Sequence, residues 1–320
     1  MGKIVVVNPI KEKHMRQIRE QAPGWDVVAS EERFEKGQLR AHLDGAEIVV
    51  GWNMTVEEAV SDPASRVRWI QHWGAGVEHL PLALLKERGI RLTNATGVHA
   101  DPISETIFGL MLAFARDLHK AIRSQTERSW GSYGELGEIH GKTIGILGVG
   151  AIGEETARIA KAFQMRVLGV RRSGLPAAGV DRMYGMDSLH DVLRESDFVV
   201  NCLPHTPETD HLLDRAAFAV MKPTAYYINI GRGKTTDTAA LLEALTDGKL
   251  AGAGLDVFEE EPLPADHPFW GMDNVIVTPH NAGSTYRYTD RIIDIFTANL
   301  AQYAQGLGPA INEVELSLGY

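Results

Sequence analysis

Cysteine, positive charge and long apolar runs are all scarce in this sequence. The single cysteine, Cys202, cannot form an internal disulfide, which excludes a disulfide-stapled domain and favours a reducing compartment. Lysine and arginine number 32 against 42 aspartates and glutamates, and the net charge of −10 argues against binding to nucleic acid or to an anionic membrane. The apolar run at the start is too short for a signal peptide, and no stretch of about 18 apolar residues follows it. We therefore predict a cytoplasmic protein without a membrane span.

The rest of the composition is that of a globular protein large enough for two cores. The chain has 320 residues, of which 44% are hydrophobic and 23% are charged. In the first hundred residues, short β-rich runs alternate with helix-compatible stretches: Ile4 to Val7, Ile48 to Val50, Arg68 to Ile70 and Arg91 to Thr93. A second alternating series begins at Thr143 and predicts a doubly wound parallel sheet of six strands. Its strand-like runs are Thr143 to Leu147, Arg166 to Val170, Phe198 to Cys202, Ala225 to Ile230, Gly252 to Val257 and Asn274 to Thr278.

Two helical patterns bear on the order of the domains. Apolar residues recur at helical spacing from Ile103 to about Ile122, with Pro102 just inside the start of this helix and Asp101 as its N-cap candidate. A second helix is predicted from about Thr289 to Gln305. Because no strand follows it, this helix could pack back on the first domain, and the second domain would then be an insertion.

A glycine-rich turn follows the first strand of the second series. Gly148, Gly150 and Gly153 form the pattern G-x-G-x-x-G between a buried-type strand and a helix. The first glycine permits a tight turn, the second lets a pyrophosphate approach the backbone, and the third lets helix and strand pack closely. The positive end of the helix then faces the phosphates. The sequence predicts a dinucleotide site here that includes Ala151 and Ile152.

The residues after the next strand bear on the choice of nucleotide. An NAD-binding domain usually carries Asp or Glu there, about 20 residues on, to bind the ribose 2′-hydroxyl. This sequence has Arg171, Arg172 and Ser173 instead. Two guanidiniums and a hydroxyl can bind a 2′-phosphate, which a carboxylate would repel. We predict a preference for NADP(H), with NAD(H) as the other candidate; the competing interpretation is that both arginines are solvated loop charges.

Three polar segments follow later strands, where open α/β sheets place their ligands. They contain Arg232 between two glycines, Glu261 at the end of an acidic run, and His280 after a Thr-Pro pair. Arginine offers a bidentate fork to a carboxylate, and a histidine beside a carboxylate can donate a proton to a forming alkoxide. The glycines that flank Arg232 suggest backbone close to a ligand. Each residue alone would be an ordinary loop residue, but the set behind a nucleotide fold predicts reduction of a 2-oxo acid.

The linear order of these motifs resembles the family of D-isomer-specific 2-hydroxyacid dehydrogenases, which includes phosphoglycerate dehydrogenase and glyoxylate/hydroxypyruvate reductase. The resemblance extends from about Asn53 to Ser284. Besides the glycine fingerprint it rests on His72 to Val77, Asn94 to Val98, Cys202 to Thr209, Ile228 to Gly233, Gly254 to Val257 and Thr278 to Gly283. It implies an α/β protein of two doubly wound parallel-sheet domains. A Rossmann nucleotide domain (101–285) would be inserted in a flavodoxin-like substrate domain (1–100 and 286–320), with a cleft joining the two.

The resemblance also implies roles for individual residues. The catalytic set would be Arg232, Glu261 and His280, with Glu261 preferred over its acidic neighbours because it directly precedes Pro262. Substrate-binding residues would be Asn53, Ala75, Gly76 and Val77. Cofactor contacts beyond the glycine loop and Arg171 to Ser173 would come from Pro204, Thr209, Ile230 and Asp256, the last at the nicotinamide amide. The implied reaction is reduction of a small 2-oxo acid to the D-2-hydroxy acid by NADPH, without a metal ion.

Other proteins of this architecture compete with that interpretation. Formate dehydrogenase partners its catalytic histidine with glutamine, so Glu261 argues against it. A nucleotide-sensing protein, like the transcriptional corepressors built on this fold, could keep the same residues and bind NADP(H) with negligible turnover. A methyltransferase is disfavoured by the six strands and the Arg–Glu–His set, and a hydrolase by the lack of a G-x-S-x-G elbow.

Some features leave alternatives open. Trp52 and Trp73 could shape a substrate pocket or belong to the core. The resemblance suggests a homodimer that uses the helix from Ile103 to Ile122, although a helix buried within one chain would show the same pattern. Gln164 stands where the family commonly has glycine, and a positive φ there would cost about 1 kcal/mol. The sequence does not select among small 2-oxo acids, because that choice depends on pocket shape.

Overall fold

Two parallel β-sheets, each in its own unit of the chain, organise the protein. The computed structural model describes residues 2–77, 79–131 and 134–317. One unit comprises Met1–Val98 and Thr285–Tyr320, and the other comprises His99–Ser284. The second unit is therefore inserted in the first. The bounds predicted from the sequence, 1–100 with 286–320 and 101–285, lie within two residues of these.

The first unit has a five-stranded sheet. Its strands are β1 (Lys3–Val6), β2 (Asp26–Val28), β3 (Ile48–Val50), β4 (Trp69–Gln71) and β5 (Arg91–Thr93). They are parallel and lie in the order β2-β1-β3-β4-β5, which is the flavodoxin-like order. Its helices are α1 (Glu12–Gln21), α2 (Lys36–Leu43), α3 (Met54–Ser61), α4 (Leu82–Glu87) and, after the insertion, α11 (Tyr288–Tyr303).

The central strands of this sheet are buried on both faces, which explains the apolar runs of β1 and β3. Alternate residues of β1 enter different cores, because successive side chains of a strand point to opposite faces. Ile4 and Val6 pack in one core with Phe296 of α11, and Val5 packs in the other with Val49. The predicted packing of the C-terminal helix on this unit is thereby confirmed.

The second unit has a seven-stranded sheet. Its strands are β6 (Thr143–Leu147), β7 (Arg166–Val170), β8 (Arg182–Tyr184), β9 (Phe198–Asn201), β10 (Tyr226–Asn229), β11 (Gly252–Leu255) and β12 (Val275–Val277). All neighbours pair in parallel in the order β12-β11-β10-β9-β6-β7-β8, so the strand order reverses between β6 and β9. Its helices are α5 (Ala100–Ala115), α6 (Leu118–Thr126), α7 (Ala151–Ala162), α8 (Leu189–Glu195), α9 (Arg215–Ala219) and α10 (Thr238–Thr246). The predicted pair of doubly wound sheets, with a Rossmann unit inserted in a flavodoxin-like one, is confirmed.

The sequence missed two strands, β2 and β8. Each has three residues and lies at the edge of its sheet. Both strands are partly exposed, and neither carries the apolar run by which the other strands are recognised.

The helix predicted from Ile103 to Ile122 is two helices. α5 ends at Ala115 and α6 begins at Leu118, because Asp117 adopts a left-handed φ of 51° between them. The N-cap prediction for this helix is also wrong. His99 occupies the cap, and Asp101 lies in the first turn, where a carboxylate stabilises the helix dipole. Gln164, after α7, does have a positive φ, of 55°.

None of the helices in the described ranges combines the length and the apolar character that a membrane crossing requires.

Candidate active site

The predicted site residues of the second unit converge on one edge of its sheet. They lie in loops at the carboxyl ends of β6, β7, β9, β10, β11 and β12. Since all strands are parallel, these ends meet at the same edge, and the reversal between β6 and β9 opens a crevice there for a ligand.

The three glycines of the fingerprint have different surroundings. Gly148 turns with φ of 92°, and a Cβ on it would lie 3.0 Å from the backbone of Cys202. A Cβ on Gly153 would lie 2.9 Å from the Gly148 oxygen. At Gly150, the N-cap of α7, no described atom lies within 4 Å of such a Cβ. The first and third glycines are therefore required by the protein's own packing, and the second leaves the N-terminus of α7 open to a pyrophosphate. These residues fit a dinucleotide.

Arg171 is held against the first turn of α7. Its Nη2 donates to the Pro176 oxygen at 2.7 Å, its Nη1 lies 3.9 Å from Glu154 Oε1, and its side chain is 24% exposed. Its Nε is buried without a hydrogen-bond partner. Arg172 and Ser173 are exposed. Arg171 is therefore not a freely solvated loop charge, and Glu154 competes for it with any bound anion.

A short contact at this edge joins Glu261 and His280. His280 Nδ1 lies 2.7 Å from Glu261 Oε2, and the Phe258 N–H donates to Glu261 Oε1 at 2.9 Å. Partial burial acts to raise the pKa of the Glu261 carboxyl. The hydrogen bonds from His280 and Phe258, with the charges of His280 and Arg232, outweigh it and lower that pKa. An ionised Glu261 requires the hydrogen on Nδ1, which leaves Nε2 of His280 to face a substrate.

The loop that carries His280 is anchored by a buried carboxylate. Asp256, only 2% exposed, accepts hydrogen bonds from Thr278 Oγ1 at 2.6 Å and from the N–H groups of Asn281 and Ala282 at 3.0 Å. His280 adopts a φ of 49°, which is uncommon for a residue with a side chain, and these bonds hold the backbone there. The structure thus gives Asp256 a positioning role, and its contact with a nicotinamide amide stays a prediction.

Arg232 projects from a tightly packed turn after β10. A Cβ on Gly231 would lie 2.6 Å from the Leu203 oxygen, and one on Gly233 would overlap the Phe258 carbonyl. Both glycines are therefore required by neighbouring protein backbone, and the expectation that they lie close to a ligand stays a prediction. Arg232 itself is exposed, and its Nη1 donates to the Gly231 oxygen at 2.7 Å.

Arg232, Glu261 and His280 line a single pocket. The other residues that line it are His205, Gly233, Lys234, Phe258 and Glu259. The structure therefore brings the three predicted catalytic side chains together within the second unit.

The other predicted cofactor residues shape the loops. Thr209 is buried, and its hydroxyl donates to the Pro204 oxygen at 2.7 Å and accepts from the Thr206 N–H at 2.8 Å. Ile230 is buried, and its N–H donates to the Asn201 oxygen at 3.2 Å. No three His, Cys, Asp or Glu residues are grouped to hold a metal ion in the part of the chain that the structure describes.

The predicted substrate-binding residues lie in the first unit. Asn53 caps α3, because its Oδ1 accepts from the Val56 N–H at 3.0 Å, and Val77 is buried in the core. Ala75 and Gly76 directly precede Val77, and their N–H groups donate to no acceptor among the described residues. These two N–H groups are suited to an anion, and the substrate-binding roles of Asn53 and Val77 stay predictions.

Two interactions around this site are not predictable from the sequence. One is the approach of Glu154 to Arg171, and the other is a hydrogen bond of 2.9 Å between His211 Nε2 and Glu259 Oε2. The second pair is separated by 48 residues in sequence, so no local spacing could have revealed it.

Comparison with known proteins agrees with the fold and with the arrangement of these residues. The family described as "D-isomer specific 2-hydroxyacid dehydrogenase, NAD binding domain" matches residues 108–282. A glyoxylate reductase from Pyrococcus furiosus is 34% identical over 315 residues, which cover 95% of this chain and 93% of the relative. Two solved structures are similar over nearly the whole chain. A D-isomer specific 2-hydroxyacid dehydrogenase family protein from Aeromonas salmonicida subsp. salmonicida A449 has 33% identity, a TM-score of 0.80 and coverage of 98% of this chain and 99% of its own. An NADPH-dependent glyoxylate/hydroxypyruvate reductase from Sinorhizobium meliloti, solved with NADP and sulfate, has 27% identity, a TM-score of 0.75 and full coverage of both chains.

Proposed function

This chain belongs to the D-isomer specific 2-hydroxyacid dehydrogenases, and on that basis we propose that it reduces a small 2-oxo acid to the D-2-hydroxy acid with NADPH. Family membership makes it an NAD(P)-dependent oxidoreductase that acts on CH–OH groups. The observation that best supports the proposed reaction is the bond of 2.7 Å between His280 and Glu261, in one pocket with Arg232. That set provides a proton donor, its orienting carboxylate and a cation for the substrate carboxylate.

The three side chains divide the work of the proposed reaction. A nicotinamide, when bound, supplies the hydride chemistry. Arg232 binds the substrate carboxylate through its guanidinium fork, which places the 2-oxo group beside His280. His280 donates a proton from Nε2 to the carbonyl oxygen, while Glu261 keeps Nδ1–H in place and offsets the charge on the ring. The substrate-binding roles of Ala75 and Gly76, which lie in the first unit, stay predictions.

The cofactor preference is proposed on the charges beside α7. The residues that would hold the pyrophosphate are Gly148, Gly150, Ala151 and Ile152, at the positive end of the helix. Arg171 would pair with the 2′-phosphate, with Arg172 and Ser173 as exposed partners that can turn toward it. The Sinorhizobium meliloti reductase, which is NADPH-dependent, supports the same choice.

Glyoxylate is the first substrate to test, because the Pyrococcus furiosus relative is a glyoxylate reductase, and hydroxypyruvate is the second. The experiment measures oxidation of NADPH and NADH with glyoxylate, hydroxypyruvate, pyruvate and phenylpyruvate. We expect NADPH to be oxidised faster than NADH, and His280→Ala to abolish most of the rate. His140→Ala, which removes an exposed histidine outside the pocket, is the matched control and should behave like the wild type. Tight NADPH binding with no oxidation by any acid would contradict the proposal.

A homodimer is proposed from an exposed apolar surface in the second unit. α6 has no buried residue, and Leu118 and Ile122 are exposed along it, followed by Trp130 and Leu136. Several exposed large apolar side chains within one segment favour an interface. Light scattering at micromolar concentration should give twice the mass of the chain, and Ile122→Glu should shift the mass toward one chain; a wild-type mass of one chain would contradict the homodimer. The cytoplasmic location stays a prediction.

A further inference from the structure

A second histidine–carboxylate pair lies beside the catalytic one. His211 Nε2 is 2.9 Å from Oε2 of Glu259, a residue that lines the catalytic pocket and stands two positions before Glu261. We propose that His211 and Glu259 form a positioning pair, which fixes residues 258–261 and so keeps Glu261 ionised and directed at His280. This inference rests on the proposed acid–base role of Glu261 and His280.

Glu259 is held through both of its oxygens. Oε2 receives the hydrogen bond from His211, and Oε1 accepts from the backbone N–H of Thr238, the first residue of α10, at 2.8 Å. The loop after β11 is thereby tied to two other elements. One carboxylate therefore determines where this loop lies relative to the loop after β9 and to the start of α10.

His211 is itself fixed to the turn that carries Arg232. Its N–H donates to the Lys234 oxygen at 2.8 Å, and the N–H of Leu213 donates to the Thr235 oxygen at 3.0 Å. His211 has a φ of 47°, so the chain turns sharply there and presents the ring to Glu259. The pair thus connects the loops after β9, β10 and β11, which contain most of the residues that line the pocket.

The same loop controls the environment of Glu261. Phe258 directly precedes Glu259. Its N–H donates to Glu261 Oε1 at 2.9 Å, and its carbonyl packs against Gly233. If Glu259 lost an anchor, residues 258–261 would gain freedom and the bond from Phe258 to Glu261 would weaken. Since that bond lowers the pKa of Glu261, the pKa would move back toward its ordinary value.

The charges around His211 favour its protonated form. The hydrogen bond to Glu259 raises the pKa of His211, partial burial opposes this, and the charges of Glu259, Asp210 and Asp237 add to the rise. Asp210 also contacts His205 at 2.7 Å and lies close to Lys234. The His211 and Glu259 side chains are 47% and 32% exposed, and an ion pair of that exposure contributes little to folding. Its removal should therefore alter the geometry of the loop without unfolding the chain.

The test compares His211→Ala with His211→Gln, whose amide N–H can still donate to Glu259. Arg215→Gln is the matched control, because it removes a surface ion pair to Glu243 that also reaches α10 but does not touch residues 258–261. We expect His211→Ala to lower kcat by on the order of tenfold while the KM for NADPH stays within about twofold. The acid limb of the pH profile, where Glu261 loses its charge, should move to higher pH. His211→Gln should restore most of the rate, and Arg215→Gln should match the wild type.

The contrary results are equally specific. An unchanged kcat and acid limb in His211→Ala would overturn the inference. So would a loss of rate that is equal at every pH and not restored by glutamine, because that result indicates a merely structural contact. A wild type without any 2-oxo acid reduction would contradict the proposed function instead. In that case, titration of the glutamate carboxyls by ¹³C NMR still decides the question, since the pKa of Glu261 should rise in His211→Ala and an unchanged value would refute the pair's role.

Discussion

Glu261→Gln tests the catalytic pair with a change of a single atom. The carboxylate accepts two hydrogen bonds, from His280 Nδ1 at 2.7 Å and from the Phe258 N–H at 2.9 Å. A glutamine amide has one acceptor oxygen and one NH₂ donor. If the oxygen faces His280, the NH₂ group meets the Phe258 N–H, and if the NH₂ group faces His280, the ring must give up its Nδ1 hydrogen. The first orientation loses the bond from Phe258, and the second reverses the bond to His280, so neither orientation keeps a charged acceptor for the Nδ1 hydrogen.

The expected loss follows from the strength of one charge-assisted hydrogen bond. Such a bond contributes about 1.5 to 3 kcal/mol, and each 1.4 kcal/mol of transition-state stabilisation is worth roughly tenfold in rate. Because the Glu261 side chain is 36% exposed, solvent screening places the effect toward the lower end. We therefore expect kcat to fall about 10- to 30-fold near neutral pH.

The assay is the initial rate of NADPH oxidation with glyoxylate between pH 4 and pH 9, with NADPH affinity measured by fluorescence. The pKa of Glu261 is lowered, so on the acid side of the wild-type profile the rate falls only when this carboxyl is protonated, below its ordinary pKa of 4.5. That acid limb should be absent from the variant, and NADPH affinity should be unchanged. A variant with a wild-type rate and pH profile would refute the reasoning, because Glu261 would then have no influence on His280.

Three other predictions concern charges at the cofactor site and in the first unit. Replacing Arg171 and Arg172 together with alanine should raise the KM for NADPH by about 10- to 100-fold, because charged hydrogen bonds to the 2′-phosphate are lost. The KM for NADH should change far less. Equal changes for both cofactors would show that the arginines do not bind the phosphate. Glu154→Gln removes the anion 3.9 Å from Arg171 and should tighten NADPH binding about two- to fivefold, measured by fluorescence titration, so weaker binding would contradict the competition. In the first unit, hydrogen bonds from Lys13 and His14 lower the pKa of Asp290 from 3.8 to about 2. Its ionised form therefore stabilises the fold above about pH 4 and is lost as pH falls through about 2. Asp290→Asn should be less stable than the wild type at pH 5 in denaturant unfolding, with a difference that shrinks in acid; a constant difference would exclude the linkage.

The architecture could be predicted largely because its strands are buried on both faces. Runs such as Thr143–Leu147 are continuous apolar segments, and the glycine pattern after this one has a fixed mechanical reason at each glycine. The structure differs from the prediction where the sequence carries no strong local pattern. The edge strands Asp26–Val28 and Arg182–Tyr184 carry no apolar run, and the helix break at Asp117 depends on the left-handed backbone of one residue, for which the sequence carries no glycine as a signal.

At the site, residue types could be predicted, but their surroundings could not. Arg232, Glu261 and His280 were identified because their chemistry suits one reaction, and the fold brings them into one pocket. The glycines beside Arg232 pack against other loops of the protein, and a sequence does not show which atoms approach a glycine. The contact between His211 and Glu259 joins distant segments, and only the three-dimensional arrangement of parallel strand ends reveals it.

The central claim is direct reduction of the 2-oxo carbon with D stereochemistry, and isotope transfer tests it most directly. The enzyme would be given pyruvate with NADPH that carries deuterium at the transferable position of the nicotinamide, and the product would be resolved by chiral chromatography and mass spectrometry. We expect D-lactate with one deuterium at carbon 2. An L product, or a product without deuterium, would contradict it.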